Sequence, residues 1–433
     1  MKKTGILLLA AVLFLAAAGW LSQPLLERRQ AFRPADSVEL RDATPWVAFA
    51  TVALGGFRGI LADLLWLRVI ALQDEGRYFE ITQLADWITR LEPTFTEVWS
   101  YHAWNMAYNI GLLFENPEDR WRWIENAHRM LRDGGVRYNP DNPRMCWEMG
   151  WLFFNRIGGF ADEAAGYYQQ RLAASVEPVL PGGALKALRP DEILQDLFRM
   201  DGAVMATLDR AFAPLDWRLP ESHSAYWAWV GRDKAKGRHD LILDRLLYQS
   251  LIASCIKGRL VYVPESEIFV RLARVDLFIP TLRLLEETRL RYPDDEGVMS
   301  ARDFTQRAAI FHYYIQGLDE GARQILTLYR AEHPEAAKEP VDFVMAEAAG
   351  SRLLTGGFLE QLEGLFFEAE TQRRLGQASL AERMDTMGKL SYEGVARKIT
   401  ASGQAMPVTL DQLRERGRSQ AGRFGAFPKG QTP

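Results

Sequence analysis

Five times along this chain a segment of helix-like apolar periodicity runs into a proline, at Glu92-Pro93, Asn139-Pro140, Glu177-Pro178, Tyr292-Pro293 and His333-Pro334. Proline lacks the backbone N–H and disfavours a helical residue before it, so each one stops a helix rather than interrupting it. Ahead of the first stop, Leu61, Leu64, Leu65, Val69 and Leu72 recur at three- and four-residue spacing up to Gly76, and Leu84, Ile88 and Leu91 carry a second apolar stripe beyond it. Helix, tight turn, helix, proline is the unit. Its return at proline intervals of 47, 38 and 41 residues predicts an all-α chain of helical hairpins.

Counted back from Pro93 and Pro334, Gly76 and Gly317 fall at the turn between two helices, with Tyr78 and Ile81 after the first and Ala322 after the second. Trp99 and Ala103 open the next unit, and Gly150, Gly159 and Asp162-Glu163-Ala164 imitate the pattern in a third. These residues resemble the tetratricopeptide repeat, over residues 62–178 and 276–334. Two departures stand out. Arg68 takes an apolar position, and Asn116-Pro117-Glu118-Asp119 with Gly134-Gly135 reads as an insertion. The resemblance implies a helical-hairpin solenoid whose first helices line a concave groove that holds peptides.

The expected organisation follows from these stops. Residues 1–23 form a membrane anchor or signal segment, 24–44 a polar tether, 45–178 a tetratricopeptide-like N-terminal block, 179–275 an irregular helical middle, 276–340 further repeats, 341–402 C-terminal helices and 403–433 a disordered basic tail. In the C-terminal block Phe358, Leu362, Leu365, Phe366 and Ala369 share one face. Val261-Tyr262-Val263 is too short to predict a sheet. The uncharged core of 46–71, Val47 to Phe57, is too short for a second span and predicts a first buried solenoid helix, or one packed at the membrane surface.

No charge lies between Lys3 and Glu27, and the run behind Met1-Lys2-Lys3 is apolar. It fits either a retained transmembrane helix through residues 4–22, with Trp20 at the far interface, or a signal peptide cleaved after the small residues Ala16-Ala17-Ala18. Both place the bulk of the chain in the extracytoplasmic, periplasmic space. A net charge of −4 gives no basic field, so no nucleic-acid partner is expected. Cys146 and Cys255 are the only thiols. Cys255 continues the stripe of Leu247 and Leu251, which predicts a buried thiol rather than a bridge, and no metal site is expected from two cysteines without adjacent histidine.

All 13 tryptophans lie between Trp20 and Trp229, and the densest aromatic cluster is Glu97 to Asn109. On a helix Tyr101, Asn105, Tyr108 and Asn109 share a polar-aromatic face, with Trp99, Ala103 and Met106 turned into the hairpin. Tyr101, Trp104, Asn105, Tyr108 and Asn109 are therefore the candidate partner-binding residues, for a protein or peptide in the concave groove. The competing reading has the amides bridging neighbouring helices. The basic residues that carboxylate-clamp relatives use are missing from this helix. Trp121 and Trp123 alternate with Arg120, Arg122, Arg129 and Arg132, but Glu125 to Arg129 and Arg129 to Asp133 are four apart, as on a solvated face.

No phosphate loop, dinucleotide fingerprint, metalloprotease motif or nucleophile elbow occurs, and the six histidines are scattered. The expectation is a non-enzymatic scaffold without cofactor. The alternative is a helical enzyme acting on peptidoglycan, because Glu221-Ser222 and Glu265-Ser266 resemble the Glu-Ser pair of lytic transglycosylases. Their glycine and apolar-glutamine context is missing, and Ser222 fits equally a helix N-cap.

Overall fold

A computed structural model describes residues 57–159, 162–185, 196–235, 240–263, 267–350 and 357–424. The expected anchor (1–23), tether (24–44) and end of the tail (425–433) lie outside the described residues. Among those described, no helix is long and apolar enough to cross a membrane.

The fold is mostly helical. In chain order the helices longer than one turn are α1 Phe57–Asp74, α2 Tyr78–Leu91, α3 Thr96–Trp104, α4 Pro117–Met130, α5 Pro143–Trp151, α6 Ala165–Val176, α7 Gly202–Phe212, α8 Pro220–Lys234 and α9 Asp240–Lys257. After a pair of strands come α10 Phe278–Arg291, α11 Glu296–Ile315, α12 Asp319–Glu332, α13 Pro340–Gly350, α14 Phe358–Arg374, α15 Ala378–Ala401 and α16 Leu410–Arg423. Neighbours pack as hairpins, including α1 with α2, α8 with α9, α11 with α12 and α14 with α15. One core runs from Trp99 to Met387, and a smaller cluster from Ala62 to Val98 sits under α1 and α2.

The proline stops act as expected: α2, α10 and α12 end at Leu91, Arg291 and Glu332, two residues short of Pro93, Pro293 and Pro334. Gly76 and Gly317 sit between their helices at φ of 70° and 76°, and Gly376 between α14 and α15 repeats the device at 81°. At each, the N–H of the following residue reaches the carbonyl five back, as Arg77 does to Leu72 at 3.0 Å, so the loose helix end is closed by a left-handed glycine.

Three local expectations are corrected. Arg259–Val263 (β1) and Ile268–Leu272 (β2) form an antiparallel pair, Arg259 opposite Leu272 and Val263 opposite Ile268, so the irregular helical middle of 179–275 contains a small sheet. It is held by side chains from afar: Asp216 accepts from the Leu260 N–H at 3.1 Å and Arg218 donates to the Leu260 carbonyl at 2.8 Å. Within the supposed disordered tail of 403–433, residues 410–423 are helix α16. Thr409 closes a reciprocal capping box with Gln412, and Leu413 is fully buried against Leu362 and Phe366. Of the segment 46–71, residues 46–56 lie outside the described residues, and α1 is buried on one face, through Ala62, Val69 and Leu72, and leaves Ile60, Leu64 and Leu67 exposed. Finally Ser222 is not an N-cap. It lies inside α8, and its hydroxyl donates to the Asp216 carbonyl.

Both cysteines are free and buried. Burial pushes their thiols up to about 11 for Cys146 and about 12 for Cys255, which keeps them protonated and unreactive.

Candidate functional site

Helix α3 starts after Phe95 and does not stop at Trp104: it widens into a π-helical turn over Asn105–Ile110. Val98, Trp99, Ala103, Met106, Ala107 and Ile110 fill the core, and the Trp99 indole N–H donates to the Pro93 carbonyl at 2.9 Å. Gly134 makes room for that ring, since a Cβ there would fall 2.2 Å from the Trp99 Cη2. The insertion thus belongs to the packing of α3. With Trp99 inward, Tyr101, Trp104 and Tyr108 are left on the outer side.

The five candidate residues divide into two groups by environment. Asn105 is fully buried, and its Nδ2 donates to the Tyr78 carbonyl at 3.1 Å and to the Thr82 Oγ1 at 3.3 Å. Asn109 donates to the Asn105 Oδ1 at 3.1 Å, so this amide pair ties α3 to α2. Tyr101 sets its ring edge-on to Trp66 at 5.1 Å and donates its hydroxyl to the Gln73 Oε1. Trp104 is 48% exposed and stacks on Tyr108 at 4.2 Å, while the Tyr108 hydroxyl donates to the Asn155 Oδ1 at 2.9 Å.

That last bond reaches the facing element. Asn142 caps α5, its side chain accepting from the Arg144 N–H behind Pro143, and the helix runs on as a second π turn over Leu152–Ile157. Trp147, Trp151 and Phe154 stand at i, i+4 and i+7, with Trp147 stacked on Trp151 at 5.4 Å and Phe154 tilted against Trp151 at 6.1 Å. The Arg144 guanidinium lies 4.7 Å over the Trp147 ring and donates to Glu148 at 2.8 Å. Burial pushes the Glu148 carboxyl up, against the pull of Arg144. Between the two aromatic ladders opens a cleft of about 740 Å³, walled by Trp66, Tyr101, Trp104, Arg144, Trp147 and Glu148. Tyr101 and Trp104 line it. Asn105, Tyr108 and Asn109 do not, and stand beside it as its support.

Trp66, Arg144 and Trp147 were missed from sequence. A signal existed: Trp147, Trp151 and Phe154 span seven residues as Tyr101, Trp104 and Tyr108 do, with the inner steps of four and three reversed. Pairing the two ladders requires the helix contacts, which no local pattern supplies.

A second cavity, of about 340 Å³, lies further along α5 and α9. Glu221, in the first turn of α8, is at its floor beside Lys257. Arg271, projecting from β2 and wholly buried, donates to Glu221 at 2.6 Å and to Gln169 at 3.0 Å. Lys257 lies 3.4 Å from the other Glu221 oxygen. Burial raises the Glu221 carboxyl, but Arg271 and then Lys257 outweigh it and hold the group below the usual range. Both cations therefore favour the ionised form of Glu221. Glu265 and Ser266 lie outside the described residues.

Elsewhere Trp121 is buried and stacks on Tyr168, and Arg122 and Arg129 pair with Glu118 and Glu125 on the exposed side of α4. Among the described residues, no group of three or more His, Cys, Asp or Glu side chains is placed to hold a metal ion. No protein-family model matches the chain, and a search of curated proteins finds no match.

Proposed function

We propose that this chain is a non-enzymatic scaffold of tetratricopeptide-like hairpins, anchored by residues 4–22 and facing the extracytoplasmic space, whose aromatic cleft holds an extended segment of a protein partner. The observation that carries this reading is the cleft itself: Trp66, Tyr101, Trp104 and Trp147 converge on a single open space from three helices. Aromatic rings are among the strongest anchors of protein interfaces, because they give contact area at small cost in side-chain entropy. Arg144 and Glu148 add a polar pair that can address a peptide backbone. Both walls also carry π-helical turns, which are frequent at functional sites.

The test is in-cell crosslinking of the full chain with the double substitution Trp104→Ala and Trp147→Ala. Both rings stand at the edge of the core, so the helical circular dichroism should persist while the set of crosslinked partners shrinks. Retention of the full set by a folded double variant would remove the cleft from the account.

A further inference from the structure

We propose that the aromatic cleft reads an arginine side chain of its partner, the stem lying on the rings of Tyr101 and Trp104 and the guanidinium reaching Glu97. This rests on the cleft being a protein-binding site and names the residue it selects. Glu97, Tyr101 and Trp104 stand at i, i+4 and i+7, so one stripe of α3 carries a carboxylate followed by two rings. All three line the cleft.

The facing wall shows the same combination with its cation in place. On α5 the Arg144 guanidinium lies 4.7 Å over the Trp147 ring and 2.6 Å from the Glu148 carboxylate. Ring, cation and carboxylate all come from one helix, and the two charges cancel. On α3 the rings and the carboxylate stand without a cation. Glu97 is exposed, accepts from the Thr96 hydroxyl at 3.1 Å and belongs to no ion pair among the described residues. Trp104 is backed by Tyr108 and is still 48% exposed, which leaves ring surface open to the cleft. The charged residues lining the cleft are Glu97, Arg144 and Glu148. With Arg144 and Glu148 paired, the charge left over is that of Glu97, beside ring faces that are themselves electronegative. A cationic guest completes the arrangement. Seven residues of helix set Glu97 about 10 Å from Trp104 along the axis, a span that the long arginine side chain bridges over Tyr101. Its planar guanidinium stacks on aromatic faces and is more weakly hydrated than the lysine ammonium, so arginine suits this stripe better than lysine.

Equilibrium dialysis of the full chain at low ionic strength tests this with the peptide N-acetyl-Ala-Ser-Xaa-Ser-Ala amide, carrying arginine, lysine, citrulline or glutamate at Xaa. Citrulline keeps the shape of arginine without its charge. The arginine peptide should bind about fivefold or more tightly than the citrulline peptide, and the glutamate peptide should bind least. Glu97→Gln, a nearly isosteric change at an exposed position, should remove that preference while circular dichroism and the binding of the citrulline peptide stay as in the wild type. Trp104→Ala should weaken both peptides. Equal binding of the arginine and citrulline peptides, or a preference that survives Glu97→Gln, overturns the inference and leaves the cleft a peptide site. Tighter binding of the lysine peptide overturns the choice of arginine. Binding of none of the four overturns the peptide reading of the cleft, and this inference with it.

Discussion

His102, His128 and His223 are buried and His312 is half-buried, and desolvation holds their imidazoles down to about 4, 3, 4 and 4, with Arg132 adding to the effect on His128. In the folded chain they are neutral, whereas in the unfolded chain they protonate near 6.5. Between pH 6.5 and about 4 the unfolded state therefore holds more protons at these sites, so their contribution to stability is present at neutral pH and lost as the pH falls. Each adds a slope of up to about 1.4 kcal/mol per pH unit. Glu148, Glu363 and Glu368, raised by burial, act in the opposite direction, so a variant difference isolates the histidine. His128 lies 5.3 Å from the Phe153 ring and 5.9 Å from Phe198, a place that suits another apolar ring. Urea unfolding at pH 7, 6 and 5 should show a shallower loss of stability in His128→Phe than in the wild type. Parallel pH profiles would show that His128 is not buried neutral.

At the scale of elements, α16 rests on local and distant terms that can be measured separately. Thr409→Ala removes the capping box and should cost about 1 kcal/mol. Leu413→Ala empties a fully buried position against α14 and should cost about 2–5 kcal/mol. Equal small losses for both in urea unfolding would mean that α16 is not docked. This helix also marks what was legible. Hairpins were readable because Gly76, Pro93, Gly317 and Pro334 act within a few residues of where they stand. Thr409 and Gln412 wrote an equally local signal, but it was overlooked among the charges of Arg414, Arg416 and Arg418. The strands were not readable: five residues each, they depend on Asp216 and Arg218 for their edge and on Glu221, 50 positions away, for Arg271. The cleft was half readable. Tyr101 and Trp104 were found from one helix, but Trp66 and Trp147 enter only through packing. The amides of Asn105 and Asn109 have the same sequence signature whether they bridge helices or meet a ligand.

For the whole molecule, the tryptophan asymmetry has a structural counterpart. Trp66, Trp104 and Trp147 line the cleft and Trp151 continues its wall, while Trp99, Trp121, Trp217 and Trp227 are core. The tryptophan-free C-terminal part keeps the hairpin device at Gly317 and Gly376 and fills its core with Leu, Phe, Met and Tyr. One architecture thus carries an aromatic cleft in its N-terminal part and a charged, partly apolar cavity further along the same helices. The most direct measurement is photocrosslinking in cells from a photoreactive residue at position 104, with Arg122 on the exposed side of α4 as the control position. The account predicts crosslinks from position 104 to one short contiguous segment of a partner, and none to that segment from position 122. Capture of the same peptides from both positions, or peptides scattered over many proteins from position 104, would contradict it.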